Sequence, residues 1–189
     1  MGRAKDVAEE IAFVLAREEK AGMLTALLDT GELPLRVTHN DTKLNNVMFR
    51  ASDRTPLCVM DLDTTMPGLS AYDYGDAIRF GASTAAEDEK DLSKVSMDLE
   101  LFRLFTKGFL EACPGLTEKE KEVLPLGAYT MTLECGTRFL TDYIDGDNYF
   151  GIHYPEHNLD RSRTQFKLVA DMEAKWEEMH RIVKACDQK

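Results

Sequence analysis

The stretch His39-Asn40-Asp41-Thr42-Lys43-Leu44-Asn45-Asn46, followed by Val59-Met60-Asp61-Leu62-Asp63, decides the reading of this 189-residue chain. One large class of phosphoryl-transfer sites presents its groups in this order. An Asp accepts the proton of an attacking hydroxyl, an Asn five positions later holds Mg²⁺, and a further Asp at a strand end holds Mg²⁺ as well. Asp41, Asn46 and Asp61 fill those three places. Two carboxylates about 4 Å apart repel by about 4 kcal/mol at an effective dielectric near 20, so a cluster of Asp41, Asp61 and Asp63 asks for a cation. Mg²⁺, which takes one or two carboxylates together with phosphate oxygens and water, answers that need.

The residues between the two halves of the motif predict how they meet. Val47-Met48-Phe49 is a short apolar run, Ala51 to Pro56 is a polar turn, and Leu57 to Met60 is a second apolar run, which together read as a β-hairpin. Antiparallel pairing then returns Asp61, after the second strand, to the side of Asn46, before the first.

Composition narrows the function class. With 43% hydrophobic residues the chain is long enough for one compact core, so residues 1–189 are expected to form one unit, with catalytic loop and metal-binding hairpin over 36–64. A net charge of -11 argues against a nucleic-acid partner, because phosphate backbones are bound by clustered Lys and Arg. No apolar run approaches the length of a membrane span, and the first residues lack the apolar core of a signal peptide. Cys58, Cys113, Cys135 and Cys186 are widely spaced, as expected of reduced thiols in a cytoplasmic protein.

The remainder reads as helix. Val7, Ile11, Val14 and Leu15 predict an amphipathic helix over 4–20, and Met23 to Leu28 a short one closed by Gly31 and Pro34. Leu35 to Thr38 is extended. Helices follow over 71–80 and over 92–109, the second on the repeat of Leu92, Val95, Leu99, Phe102, Phe105 and Phe109. Thr117 and Glu120 form a capping box for a helix running towards Tyr143, with Pro125 placed to kink or shorten it. Phe166, Val169, Met172, Trp176, Met179 and Val183 lie on one stripe of a last helix. His153 and His157 stand four apart, but Pro155 between them argues against a helical zinc pair, and His180 reads as a surface residue. The fold class is thus mainly α with one small β-hairpin.

The text Arg36-Val37-Thr38-His39-Asn40-Asp41-Thr42-Lys43-Leu44-Asn45-Asn46-Val47, with Val59 to Thr64 and Tyr72-Asp73-Tyr74-Gly75-Asp76-Ala77-Ile78-Arg79, resembles the aminoglycoside phosphotransferase and choline kinase superfamily. Within it, the likeness is nearest to the N-acetylhexosamine 1-kinases, and Tyr149-Phe150 and Tyr154 to Val169 share it. The resemblance implies the C-terminal (large) lobe of a protein-kinase-like fold with the N-lobe absent, because no glycine-rich loop or phosphate-pairing Lys strand precedes the motif. It implies a kinase that uses ATP and Mg²⁺ to phosphorylate the anomeric hydroxyl of an N-acetylhexosamine. Asp41 would be the base and Lys43 a γ-phosphate contact. Asn46 and Asp61 would hold the metal, while Thr64, Phe80 and Arg138 would line the sugar pocket. His39 and Asp73 would be supports. For Phe80 a plain core role is equally open. The chain alone is expected to be inactive without an N-lobe, whose partner surface, or that of a homodimer, would include Ile11 and Phe13. Two alternatives stay open: a non-catalytic remnant that keeps a binding surface, and a kinase for another hydroxylated small molecule such as an aminoglycoside or choline.

Overall fold

The computed structural model describes residues 2–188. The first helix does not run unbroken. α1 (Ala8–Leu15) stops, and α2 (Glu18–Ala21) and α3 (Met23–Asp29) follow as separate short pieces. Arg17 is the reason. Its guanidinium turns back to the Phe13 carbonyl at 2.9 Å and pairs with both carboxylate oxygens of Glu173 at 2.9 and 2.7 Å. Phe13 stacks on Phe166 with ring centroids 5.0 Å apart, and Ile11 packs on the core beside it. Ile11 and Phe13 are both half-buried by these contacts, so only part of each remains for the partner surface expected there.

Two small antiparallel sheets follow, where one hairpin was expected. β2 (Val47–Phe49) and β3 (Pro56–Val59) pair in the register Val47↔Val59 and Met48↔Cys58, with an irregularity after Met48. β1 (Arg36–Thr38) pairs with β4 (Met66–Gly68), Thr38 opposite Met66 and Arg36 opposite Gly68. A Cβ at Gly68 would collide with the Thr38 hydroxyl, so only glycine allows this approach.

The helical body contains α4 (Ser70–Gly81), α5 (Leu99–Ala112), α6 (Glu118–Glu122), α7 (Leu124–Asp145), α8 (His157–Ala174) and α9 (Trp176–Asp187). α5 starts later than the apolar repeat suggested, because the Asp98 side chain accepts from the Glu100 and Leu101 N–H groups and caps the helix there. The capping box of Thr117 and Glu120 forms, but Val123 separates α6 from α7, with Pro125 in the first turn of the latter. The expected last helix is two, α8 and α9, divided at Lys175. That ammonium reaches Ser96, the Met97 carbonyl and Asp171. Apolar side chains of α4, α5, α7, α8 and α9, including Tyr74, Phe102, Tyr129, Leu168, Met172 and Met179, form one buried cluster. Among the described residues no helix is long and apolar enough to cross a membrane, and all four cysteines are free.

Candidate active site

Three consecutive residues of α4 tie the site to the body. Tyr74 is fully buried, its hydroxyl 2.7 Å from that of Thr106 and its ring against Phe102, Phe105 and Phe109 of α5. Gly75 faces α7 so closely that a Cβ there would collide with the Gly127 carbonyl, and a Cβ at Gly127 would collide with the carbonyl of Ala71. Asp73, between Ala71 and Gly75 on this fixed helix, points at the motif loop. Its two carboxylate oxygens accept the backbone N–H groups of His39 and Asn40, both at 2.8 Å. Thr42 adds a hydroxyl bond to the Asp73 carbonyl.

The loop itself is bent by Asn40, which stands in the left-handed region with φ 64°, a conformation Asn tolerates better than most residues. Its amide donates to the Thr64 carbonyl at 3.0 Å and its Oδ1 accepts from Thr38. The Thr64 hydroxyl in turn donates to the His39 carbonyl at 2.6 Å. His39 lies 2.8 Å through Nε2 from the Met60 carbonyl and accepts the Asp41 N–H at Nδ1. Those partners require the proton on Nε2. His39 thereby ties the start of the loop to the end of β3.

Asp41 is the centre of the resulting cluster. Asn46, buried, donates its amide to the Asp41 carboxylate at 2.7 Å and to the Asp41 carbonyl at 2.8 Å, and the Lys43 ammonium lies 2.9 Å from the same carboxylate oxygen. Partial burial pushes the Asp41 carboxyl up, but Lys43 and Asn46 outweigh it and hold the group below the ordinary carboxylate range. Asp41 is thus ionised at neutral pH. The Asn46 Oδ1 accepts no hydrogen bond among the described residues, so an oxygen donor is left over. The Met60 N–H bonds the Asn46 carbonyl at 2.8 Å, which brings the two ends of the hairpin side by side.

Asp61 follows at once, exposed and left-handed at φ 62°. Asp63 beside it pushes its pKa up, Asp41 adds to the rise, and Lys43 works against it. Asp61 thus has Asp63 beside it and feels the charge of Asp41 as well. Among the described residues no three His, Cys, Asp or Glu side chains form a ready metal cage. The exposed carboxylates of Asp61 and Asp63 and the spare amide oxygen of the buried Asn46 are the kind of donors that fit an ion such as Mg²⁺, which draws its remaining ligands from phosphate and water.

The other residues singled out in the sequence fall elsewhere. Phe80 is half-buried near the end of α4, about two turns from Asp73. Arg138 is exposed on α7, 3.6 Å from Glu134, with its guanidinium 5.7 and 5.4 Å from the ring centroids of Tyr149 and Phe150. Seven residues separate it from Met131, the α7 side chain that packs at Gly75, so it stands about 10 Å further along the helix. His157 is buried at the first turn of α8, 3.2 Å from Asp88, and His180 is half-buried against Trp176. Asn40, Thr38 and Thr42 were not among the candidate residues, although each takes part in the geometry of the loop. An Asn placed between His39 and Asp41 was the one local signal of a left-handed bend.

Residues 2–94 match the model of the phosphotransferase enzyme family, APH. The match supports kinship with the aminoglycoside phosphotransferase and choline kinase superfamily. It takes in every residue of the loop, the hairpin and α4 discussed above. Arg138 lies beyond it, as do α5 to α9.

Proposed function

We propose that this chain is the catalytic lobe of a phosphotransferase that moves the γ-phosphoryl group of ATP to a hydroxyl of a small molecule. The observation that carries the reading is the Asp41 cluster, in which Asn46 and Lys43 fix one oxygen of an ionised carboxylate and leave the other for a substrate hydroxyl. Phosphoryl transfer proceeds through a loose transition state and demands little base strength, so a carboxylate held below its ordinary range suffices to orient the hydroxyl and take its proton late. Lys43, 2.9 Å from the Asp41 carboxylate, would follow the transferred phosphoryl group. Asn46 Oδ1, Asp61 and Asp63 would hold Mg²⁺, which when bound neutralises phosphate oxygens and keeps the terminal phosphates in line. His39, Asn40 and Thr64 keep the base and the metal side in register, and Asp73 anchors that loop to the helical body.

The acceptor we propose is the anomeric hydroxyl of an N-acetylhexosamine. Resemblance to the sugar 1-kinases supports it, as does the pairing of an exposed cation, Arg138, with the surface rings of Tyr149 and Phe150. Thr64 would contact the sugar beside the Asp41 loop, while Phe80, about two turns of α4 from Asp73, and Arg138 would reach only its far side. A covering lobe or partner is proposed over the hairpin. Leu35, Val37, Leu44, Met48, Phe49, Leu57, Val59, Leu62 and Met66 are all at least 44% exposed, and they surround the ends of the two sheets. Exposed apolar area of several hundred Å² marks a contact surface. The same bare face favours the second reading, a lobe that binds without transferring.

Phosphorus NMR of the chain with Mg²⁺, ATP and a panel of N-acetylhexosamines, choline and an aminoglycoside separates these readings. A sugar 1-phosphate formed by the parent, and lost about a thousandfold in Asp41→Asn, is the expected result for a competent enzyme. Transfer that survives Asp41→Asn would remove Asp41 from its role. If no acceptor is phosphorylated, Mn²⁺ used as a paramagnetic probe still decides whether the site holds metal. Broadening of the Asn46 and Asp61 resonances with no turnover is the result expected of a catalytic lobe without its cover, and absence of broadening would favour the binding lobe.

A further inference from the structure

A cleft of about 520 Å³ opens between α2, α3, the junction of α6 with α7, and the start of α9. Met23, Ala26, Leu27, Val123, Leu126 and Trp176 make its walls mainly apolar. Its size falls within the span of small-molecule pockets, about 300–1,000 Å³. No residue of the Asp41 loop, of the β2–β3 hairpin or of α4 lines it.

Lys20 of α2 gives the cleft its chemistry. The side chain is half-buried, with its ammonium 3.4 Å from the ring centroid of Trp176 and 4.1 Å from that of Tyr129. The two rings stand at 81° to each other and form a corner that fixes the nitrogen in place. They offer its N–H donors no lone pair, and among the described residues the ammonium has no hydrogen bond and no ion pair. Glu173, whose charge reaches Lys20, is already taken by Arg17 at 2.9 and 2.7 Å and by the Tyr129 hydroxyl at 3.0 Å. Burial holds the Lys20 ammonium below the ordinary lysine range, with Glu173 working against the shift and Arg17 adding to it. The other charges at the cleft are satisfied or open to water. Lys119 and Glu122 pair with each other at 3.1 Å, and Glu32, which accepts from the Thr30 hydroxyl, is exposed. Salt screens such exposed charges more than it screens the half-buried Lys20. An ammonium with unused donors, set into an apolar wall, selects an anion that carries an apolar tail.

We propose that this cleft binds a small aliphatic carboxylate, whose oxygens accept from the Lys20 ammonium and whose tail lies along Met23, Leu27 and Leu126. Such binding is independent of phosphoryl transfer.

Trp176 is the only tryptophan of the chain, so its fluorescence reads this cleft. Titration of the whole chain with octanoate should change that fluorescence saturably, with half-saturation below about 1 mM, as expected of a ligand of about ten non-hydrogen atoms with ordinary efficiency. Octan-1-ol and octylamine carry the same tail without the anion, and each should bind about tenfold more weakly or worse. Lys20→Met keeps an unbranched stem over the Trp176 ring and should weaken octanoate about tenfold while leaving octan-1-ol unchanged. The comparison of the three ligands on the parent needs no variant, so it decides even if Lys20→Met folds poorly. A fluorescence change that does not saturate with octanoate would overturn the proposal. So would octan-1-ol or octylamine binding the parent as tightly as octanoate, or octanoate binding Lys20→Met as tightly as the parent.

Discussion

On one side of Asp41, α4 lies so close to α7 that neither Gly75 nor Gly127 has room for a methyl group; on the other, every residue of β3 is exposed. The first side carries Asp73 and through it the backbone of the His39–Asn46 loop. The second carries the oxygen donors Asn46 and Asp61. The difference separates two tasks. The Asp41 loop is fixed by a packed helical body, while the proposed metal side rests on two thin sheets whose outer faces are exposed. Stability and site geometry are therefore expected to respond strongly to changes below Asp41 and weakly to changes above it.

Glycines of a single helix give the sharpest way to break that contrast. Gly75→Ala drives a Cβ into the Gly127 carbonyl and should cost about 3 kcal/mol, the upper end of the usual range for overpacking. Gly81→Ala, in the last turn of the same helix, meets nothing within 4 Å and should stabilise by about 0.5 kcal/mol. Urea denaturation of both variants checks the pair. Equal effects would mean that α4 is not held by its contact with α7.

Acid should loosen the lower side next. Glu120 is buried and accepts from Arg36 at 2.9 and 2.7 Å, from Ser70 at 3.0 Å and from the Thr117 N–H at 2.8 Å, so that β1, α4 and α6 meet at one carboxylate. Burial raises its pKa, but these donors win and bring it down to about 2. A carboxyl depressed on folding contributes stability that is complete above its unfolded value near 4.5 and disappears as pH falls through about 2. The contribution is on the order of 3 kcal/mol. Melting curves of the parent should therefore fall between those two pH values, and Glu120→Gln should flatten that part of the profile.

Asp73→Asn is a smaller change at the same boundary. One amide oxygen can still accept, but the NH₂ group then faces a backbone N–H, which should cost about 2 kcal/mol. Hydrogen exchange at His39 and Asn40 should speed up in the variant more than exchange within α7. Uniform acceleration would show that Asp73 stabilises the fold as a whole rather than the loop.

The legible parts of this molecule were those written in adjacent residues. His39 to Asn46 and Asp61 could be read as one site because a single hairpin brings them together, and the apolar runs fixed its register. β4 escaped because it is three residues long, contains Pro67 and pairs with a strand nearly thirty positions away. The break after α1 depends on Arg17 meeting Glu173, and the break between α8 and α9 on Lys175 meeting Ser96 and Met97. Neither has a Gly or Pro to announce it. Asp98 was a local signal, a good capping residue, but the apolar repeat that runs from Leu92 across it masked the start of α5. The role of Asn40 was hidden for another reason, since a left-handed bend is a backbone property that side-chain periodicity does not register.

The smallest expected effect lies on the upper side. Val59 is 54% exposed, opposite Val47 in the β2–β3 pair, so Val59→Thr keeps a β-branched side chain and removes little buried area. Its effect on stability should stay within about 0.5 kcal/mol, as for ordinary surface substitutions. If the hairpin is covered by a nucleotide-gripping lobe in the working enzyme, the same hydroxyl would be buried there without a partner, and burying an unbonded hydroxyl costs about 1–3 kcal/mol. Thermal melts of the chain together with ATP titrations of the covered form therefore sharpen the comparison. A variant that melts like the parent but binds nucleotide less tightly would identify the hairpin face as contact surface. A variant that loses stability in the chain alone would show that the upper side is as tightly packed as the lower, and would remove the asymmetry on which this reading of the site rests.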